Sequence, residues 1–234
     1  DNRKINNPFF FYFHSFDFLN DLQEIAKEDL RLHGRELTSY WIKKNSSWNP
    51  KTWDDFILST RICNWLKNYN FFFSTANENF KNKIFNLILK QTEHLVKNFS
   101  NLKRNSDLIR IIKALIYVSI SIPNKKYYYQ IAIFNLKSEL SKQILKDGCH
   151  FQRNPTIHLQ VLMDLLEIRT IINSAKKNIF FDLQNSIKKM SVAYRFFLHK
   201  DNSLANFNGS DDINQKKIKN LTFEIPKPTK NLRE

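Results

Sequence analysis

The sequence predicts an all-α protein, and three observations support this fold class. The chain has 234 residues, of which 42% are hydrophobic, so one or two domains can bury a substantial core. It contains only three glycines and six prolines, too few for a sandwich or barrel that turns every ~8–12 residues. Apolar residues recur three and four positions apart through most of the chain, which is the helical spacing.

The first predicted helix covers residues 16–30, and Gly34 is expected to break it before a second helix at 35–44. Pro50 precedes a third helix at 52–69. Five further helices are predicted at residues 79–99, 107–120, 129–145, 155–172 and 179–198. Gly148 is expected to supply the left-handed residue that closes the helix before it.

Short links between helices favour antiparallel helical hairpins, arranged as a bundle, a solenoid or an α/α toroid. No fixed-period repeat is apparent in the sequence, and helical periodicity is lost after residue 200. We therefore predict a helical domain at residues 1–200 and a linker towards a further domain at 201–234. Because the chain begins at Asp1 without a charged and apolar leader, we expect it to be an excised or processed piece.

The chain is strongly basic, with 37 Lys and Arg against 22 Asp and Glu and a formal net charge of +15. Such a balance suits a protein that binds an acidic polymer. The sequence is also rich in Lys, Asn, Ile and Phe, whose codons are rich in A and T, so genome composition is an equally good explanation. The basic residues are dispersed, which does not favour nucleic acid as a partner.

Several classes of protein are not expected. No apolar run approaches the ~20 residues of a membrane-spanning helix. Phosphate-binding glycine loops and dinucleotide fingerprints are missing, so no cofactor is predicted. Cys63 and Cys149 are expected to be free and packed, with one long-range disulfide as the alternative.

Polar residues cluster before the helix that opens at Pro155: His150, Gln152 and Arg153 lie in a loop, and His158 lies in the first helical turn. The positive end of the helix dipole would disfavour protonation of His158, whether it acts in chemistry or is a satisfied structural histidine. With no third ligand at metal spacing, no metal site is expected.

Other candidate groups have a structural explanation beside a functional one. Asp164 and Glu167 share a helix face and are predicted to form its solvated edge, not a pair of catalytic carboxylates across a cleft. Aromatic residues could stack on sugar rings, but at helical spacing they more often form the core. They are Phe9 to Phe13 and Trp41, Trp48, Trp53 and Trp65.

Four stretches, in order, resemble the signature stretches of the heparinase II/III family's helical domain. They are FYFHSFDFLNDL (11–22), GRELTSYWIKKN with WDDFILSTRICNWLK (34–67), DGCHFQRNPTIHLQVLMDLLEI (147–168) and NSLANFNGSDD (202–212). The third, with its DGxHFxRxPxxH pattern, is the most diagnostic. The resemblance implies an incomplete α/α toroid of helical hairpins, similar to alginate and chondroitin lyases, followed by a C-terminal β-sandwich domain absent from this chain.

The resemblance also implies an activity and a partner. Family members are polysaccharide lyases that cleave uronate-containing glycans by β-elimination: a base removes the proton next to the carboxylate, and donors stabilise the resulting anion. An acidic polysaccharide is the expected partner, and the periplasm or cell envelope the expected location. The resemblance implies catalytic roles for His158, His150 and Asn105, and substrate-binding roles for Arg61, Asn64, Trp65, Gln152, Arg153 and Asn208.

The sequence departs from the family at two catalytic positions. Ile157 stands where the family has a tyrosine, and Ser106 with Asp107 stands where it has Asn-His, unless a one-residue shift brings Asn105 into that role. The leading hypothesis is therefore a lyase domain that binds acidic polysaccharide. A catalytically inactive glycan-binding or envelope relative is the alternative, and a basic nucleic-acid-binding module is a remote third.

Overall fold

The computed structural model describes residues 7–99 and 107–210, and the all-α prediction is confirmed. Within these residues there is no strand; two isolated β-bridges are the extended pairings present. The chain forms two compact units, Asp1–Tyr129 and Gln130–Glu234, and the division along the chain falls within α8. The described helices are α1 (Pro8–His14), α2 (Phe18–Ile25), α3 (Glu28–Asn45), α4 (Asp55–Lys67), α5 (Tyr69–Phe72), α6 (Glu78–Asn98), α7 (Asp107–Ser121), α8 (Lys126–Gln143), α9 (Pro155–Ser174) and α10 (Phe181–Phe196).

The N-terminal helices differ from the prediction. The aromatic run after Asn7 is itself a helix, α1, because the Asn7 side chain accepts a bond from the Phe10 N–H and Pro8 occupies the first helical position. The single helix predicted at 16–30 is wrong. Ala26 adopts a left-handed φ of 54°, which ends α2, and α3 begins two residues later.

Gly34 was predicted to break a helix, but it lies inside α3. A Cβ at this position would lie 2.5 Å from Cε1 and 2.6 Å from Cδ1 of the buried Phe72 ring. The missing side chain therefore lets α3 pack closely against α5. Composition alone cannot distinguish a glycine that ends a helix from one that allows this approach.

The core of the first unit lies around α4, which packs most extensively against α7. The Asp54 carboxylate caps α4 by accepting the Phe56 and Ile57 N–H groups, so this helix begins three residues later than predicted. Phe16 and Trp41 meet the Trp65 ring edge to face, with centroids 4.9 and 5.8 Å away. Three of the four tryptophans, Trp41, Trp53 and Trp65, are buried here.

In the second unit α9 packs against α10, and α9 is buried along most of its length. Asp164, predicted to lie on a solvated edge, is instead buried. The apolar residues around it place it on the inner side of α9. In the part of the chain that the structure describes, no helix combines the length and apolarity needed to cross a bilayer.

Candidate functional site

The loop after α8 is a tight hairpin, closed by a bridge between Ile144 and His150. The Leu145 N–H donates to the Cys149 carbonyl at 2.9 Å, and the Gly148 N–H donates back to Leu145 at 3.0 Å. Gly148 has a φ of +84°, and a Cβ on it would lie 2.4 Å from the Lys189 carbonyl oxygen. The predicted left-handed conformation of Gly148 is confirmed, but α8 ends at Gln143, so Gly148 does not close the helix. It forms the hairpin turn and lets the hairpin pack against α10.

A second hairpin after α10 has the same geometry as the first, a similarity that the sequence pattern does not show. Leu198 pairs with Leu204, and the His199 N–H donates to the Ser203 carbonyl at 2.9 Å. Asp201 accepts the N–H two residues ahead, as Asp147 does in the first hairpin, at 2.9 and 3.0 Å. Asp147-Gly-Cys and Asp201-Asn-Ser thus build the same turn with different side chains, which hides the similarity from a sequence scan.

The segments that follow the two hairpins are joined through a pair of asparagines. Asn154 caps α9 by accepting the Ile157 N–H at 2.9 Å, and its amide donates to the Asn208 carbonyl at 2.9 Å. The Asn208 amide donates in return to the Arg153 carbonyl at 3.0 Å. Arg153 and Asn208 both have left-handed backbones, with φ of 54° and 52°. Residues up to 210 are therefore bound into the second unit, whereas the predicted boundary at residue 200 stays a prediction.

His158 is buried at the centre of this region, and both ring nitrogens have partners. Nδ1 accepts the His150 backbone N–H at 3.2 Å, and Nε2 lies 2.9 Å from the Met190 carbonyl, so Nε2 carries the proton. Burial lowers the pKa of His158 to about 4. The direction of this pKa shift is the expected one, and burial is its main cause.

His150 is also buried and lies at the end of a polar chain. Its Nδ1 accepts the Gln152 N–H at 3.4 Å, and its Nε2 lies 3.1 Å from the Gln143 side-chain oxygen. The Gln143 amide donates in turn to Glu139 at 2.7 Å. Gln143 and Glu139 were not predicted, because glutamine and glutamate near the end of a helix look like surface residues.

Arg153 and Asn208 are the predicted binding residues of this region that reach solvent most openly, while Gln152 is half-buried. The Arg153 guanidinium lies 2.5 Å from the Asp147 carboxylate, and about half of each side chain is exposed. The Cys149 N–H and then Arg153 lower the pKa of Asp147. Ile157 lies in the first turn of α9 with its side chain half-buried.

Arg61, predicted to bind substrate, is completely buried in the first unit. Its guanidinium donates to the carbonyls of His14 and Thr52 at 2.9 and 3.0 Å and to the Gln91 side-chain oxygen at 3.2 Å. It also lies over the Trp41 ring, 4.5 Å from the centroid. Burial lowers the pKa of Arg61 to about 9, which leaves it charged at neutral pH.

The other two predicted residues of α4 are buried as well. The Asn64 amide donates to the Ser15 carbonyl at 2.9 Å and to the Asp17 carboxylate at 2.8 Å, and so holds the turn between α1 and α2. Trp65 lies in the aromatic core. In this conformation Arg61, Asn64 and Trp65 have no surface on which a polymer could rest. Asn105 and Ser106 lie outside the described residues.

Neither cysteine forms a disulfide within the described residues, as predicted; Cys63 is buried and Cys149 half-buried. Among residues 7–99 and 107–210, no three His, Cys, Asp or Glu side chains gather as metal ligands would. In the second unit the predicted residues are brought together by hydrogen bonds, whereas Arg61 and Asn64 of the first unit bond to other residues. The arrangement fixes the shape of the loops and leaves Arg153 and Asn208 on the surface.

The all-helical fold, with two hairpins whose following segments are joined by Asn154 and Asn208, is consistent with a helical domain of the heparinase II/III type. The model of the family described as Heparinase II/III N-terminus matches residues 35–226, and the chain belongs to this family. The match runs across both units and confirms the family resemblance; it covers the later three signature stretches from residue 35 onwards, whereas the first, at 11–22, lies before it.

Two solved structures and one curated protein are similar to the chain. A crystal structure of heparinase III has a TM-score of 0.77 at 18% identity, covering 90% of this chain and 35% of that one. A second heparinase III structure has a TM-score of 0.61 at 18% identity, covering 82% and 35%. FtsZ-localized protein C of Caulobacter vibrioides (strain NA1000 / CB15N) is 24% identical over 206 residues, 88% of this chain and 35% of that protein. The chain thus spans about a third of each relative.

Proposed function

We propose that this helical domain binds an acidic, uronate-containing polysaccharide on behalf of a longer protein. The observation that carries the proposal is membership of the heparinase II/III N-terminus family over residues 35–226, together with the heparinase III fold. The net charge of +15 supports it, because a cationic surface attracts an acidic chain and speeds its association.

Within the second unit, the exposed guanidinium of Arg153 and the nearby Asn208 are the groups we propose to contact the polysaccharide. A planar guanidinium can form paired hydrogen bonds with a carboxylate or a sulfate. The backbone of Arg153 is fixed by the asparagine pair and by the hydrogen bond that the Arg153 N–H donates to the His150 carbonyl at 2.9 Å. The buried histidines thereby support binding through the shape of the loop.

Lyase activity would require more of this domain than glycan binding does. The described residues favour binding over proton transfer. β-Elimination needs a base and an acid that can reach the sugar ring. His150 and His158 are buried with their ring nitrogens engaged, and Ile157 has no proton to transfer. We therefore assign proton transfer, if the intact protein performs it, to groups outside the described residues, and keep for Asn105 the neutralisation of the substrate carboxylate that the family resemblance implies.

The test uses the full-length protein with heparan sulfate, alginate and neutral dextran. Calorimetry should detect binding to at least one uronate glycan and none to dextran, and ultraviolet absorbance of the unsaturated product reports lyase activity. Arg153→Gln should weaken binding, whereas Lys176→Gln, an exposed cation with a similar left-handed φ of 53°, should not. Absence of binding to every uronate glycan would refute the proposal.

A second candidate, a non-catalytic envelope relative, is favoured by Ile157 and by the similarity to FtsZ-localized protein C. The name of that relative places it with FtsZ. If this candidate is correct, the full-length protein binds glycan without releasing unsaturated product, and a fluorescent fusion gathers at the division site. We propose a periplasmic or cell-envelope location in either case, which cell fractionation tests.

A further inference from the structure

Trp48 differs from the other three tryptophans because its side chain faces solvent. Its exposed fraction is 62%, whereas Trp41, Trp53 and Trp65 are buried. A large exposed ring forgoes the stabilisation that burial would provide, but four phenylalanine rings are more exposed than Trp48, so exposure alone does not mark a binding site. The basic surroundings of Trp48 and its ordered loop make it the candidate for ligand contact.

The loop that carries Trp48 is held on both sides. Before it, the Ser46 N–H caps α3 by donating to the Ile42 carbonyl at 3.1 Å. After it, the Asn49 side chain accepts the Lys51 N–H at 2.9 Å, and the Asn49 carbonyl accepts the Trp53 N–H at 2.8 Å. Since these bonds fix the backbone, the ring is presented without the entropic cost of ordering the loop on binding.

The surroundings of Trp48 are basic. Lys43 and Lys44 lie exposed in the last turn of α3, and Lys51 follows in the loop. Lys90 of α6 places its Nζ 3.5 Å from the Ser46 carbonyl, two residues before Trp48. No Asp or Glu occurs between Glu36 and Asp54, so this part of the sequence carries no compensating negative charge.

We propose that Trp48 is a stacking platform for one sugar ring of an acidic polysaccharide, and that Lys43, Lys44, Lys51 and Lys90 attract its carboxylate or sulfate groups. The apolar face of a pyranose ring matches the face of an indole, and the lysines match the charge of the polymer. This inference rests on the proposed function and adds a binding surface in the first unit, independent of the Arg153 loop.

The experiment follows tryptophan fluorescence of the full-length protein while a heparin oligosaccharide is added. Because Trp48 is the exposed tryptophan of this chain, acrylamide quenching is compared between the wild type and Trp48→Phe to isolate its emission. The oligosaccharide should protect this emission from quenching. Trp48→Ala should weaken binding by roughly three- to tenfold, the loss expected for one aromatic contact.

Matched variants separate stacking from general charge. Lys90→Ala should weaken binding, whereas Lys83→Ala, an exposed lysine two turns earlier on α6, should not. Phe134→Ala removes an even more exposed ring, 77% against 62%, from α8 and should leave affinity unchanged. Circular dichroism confirms that each variant is folded.

The outcomes also separate this inference from the proposed function. A wild-type protein that binds no acidic glycan refutes both. Wild-type binding that Trp48→Ala and Lys90→Ala leave unchanged overturns only the Trp48 surface and leaves the proposed function standing. Equal protection of Trp48 by single-stranded DNA overturns the assignment of polysaccharide as its ligand.

Discussion

The burial of His158 predicts a specific dependence of stability on pH. Its pKa is lowered from 6.5 to about 4 by burial in the folded chain, so the unfolded chain binds more protons between these values. The contribution of His158 to the free energy of unfolding is therefore fully present above the pKa of His158 in the unfolded chain. It is lost as the pH falls towards the pKa of His158 in the folded chain. The full loss from this residue is about 3 kcal/mol, of which about 2 kcal/mol is already lost at about pH 5.

The assay is urea unfolding followed by circular dichroism between about pH 7.5 and pH 5, on the wild type and His158→Gln. Glutamine cannot titrate and can keep only one of the bonds to His150 and Met190, so the variant should be less stable at neutral pH by about 1–3 kcal/mol. Its loss of stability on acidification should be smaller than that of the wild type by about 2 kcal/mol.

His33→Gln, at an exposed histidine of α3, serves as the control and should follow the wild-type pH dependence. Burial also lowers the pKa of His14, so part of the wild-type dependence will persist in His158→Gln. The reasoning is refuted if the wild type and His158→Gln lose equal stability on acidification. That result would mean that His158 is not held neutral by its surroundings.

Three further predictions use the same unfolding measurement. Gly148→Ala should lower the free energy of unfolding by about 2–4 kcal/mol, because the left-handed backbone of Gly148 disfavours alanine and the new Cβ would meet the Lys189 carbonyl. The control is Asn202→Gly at a left-handed residue of the second hairpin, which should change it by less than about 0.5 kcal/mol. Asn208→Gly keeps the backbone conformation but loses the bond to Arg153, and should cost about 1 kcal/mol and speed hydrogen exchange at the start of α9. Arg61→Lys should cost about 2–3 kcal/mol, since an ammonium cannot satisfy three acceptors on separate segments; an unchanged midpoint would contradict the buried network.

Most of the fold was predictable because helical periodicity records which face of each helix is buried. The errors occur where a tertiary contact decides the local structure. Gly34 looks like a helix breaker until Phe72 is placed beside it. The end of α2 at Ala26 carries no glycine or proline signal, since alanine rarely adopts a left-handed φ.

The site was predictable in its loops and not in its burial. The left-handed conformation of Gly148 and the helix start at Pro155 are local signals and were predicted correctly, whereas α8 ends at Gln143, before the predicted end at residue 145. Arg61 was expected to bind substrate because of the family resemblance, and an arginine is rarely fully buried unless it is paired. Its partners are two backbone carbonyls and a glutamine, which no sequence spacing indicates.

The DGxHFxRxPxxH stretch reports architecture more directly than chemistry. Asp147 and Gly148 shape the hairpin, Pro155 opens α9, and His150 and His158 lock the hairpin to that helix and to α10. Each residue therefore has a structural reason to be present even in a protein that transfers no proton. Ile157, which lies between these positions, can differ from the family's tyrosine without disturbing any of those side-chain contacts. A protein can therefore belong to this family without performing the lyase reaction. The same fold can bind a glycan without cleaving it.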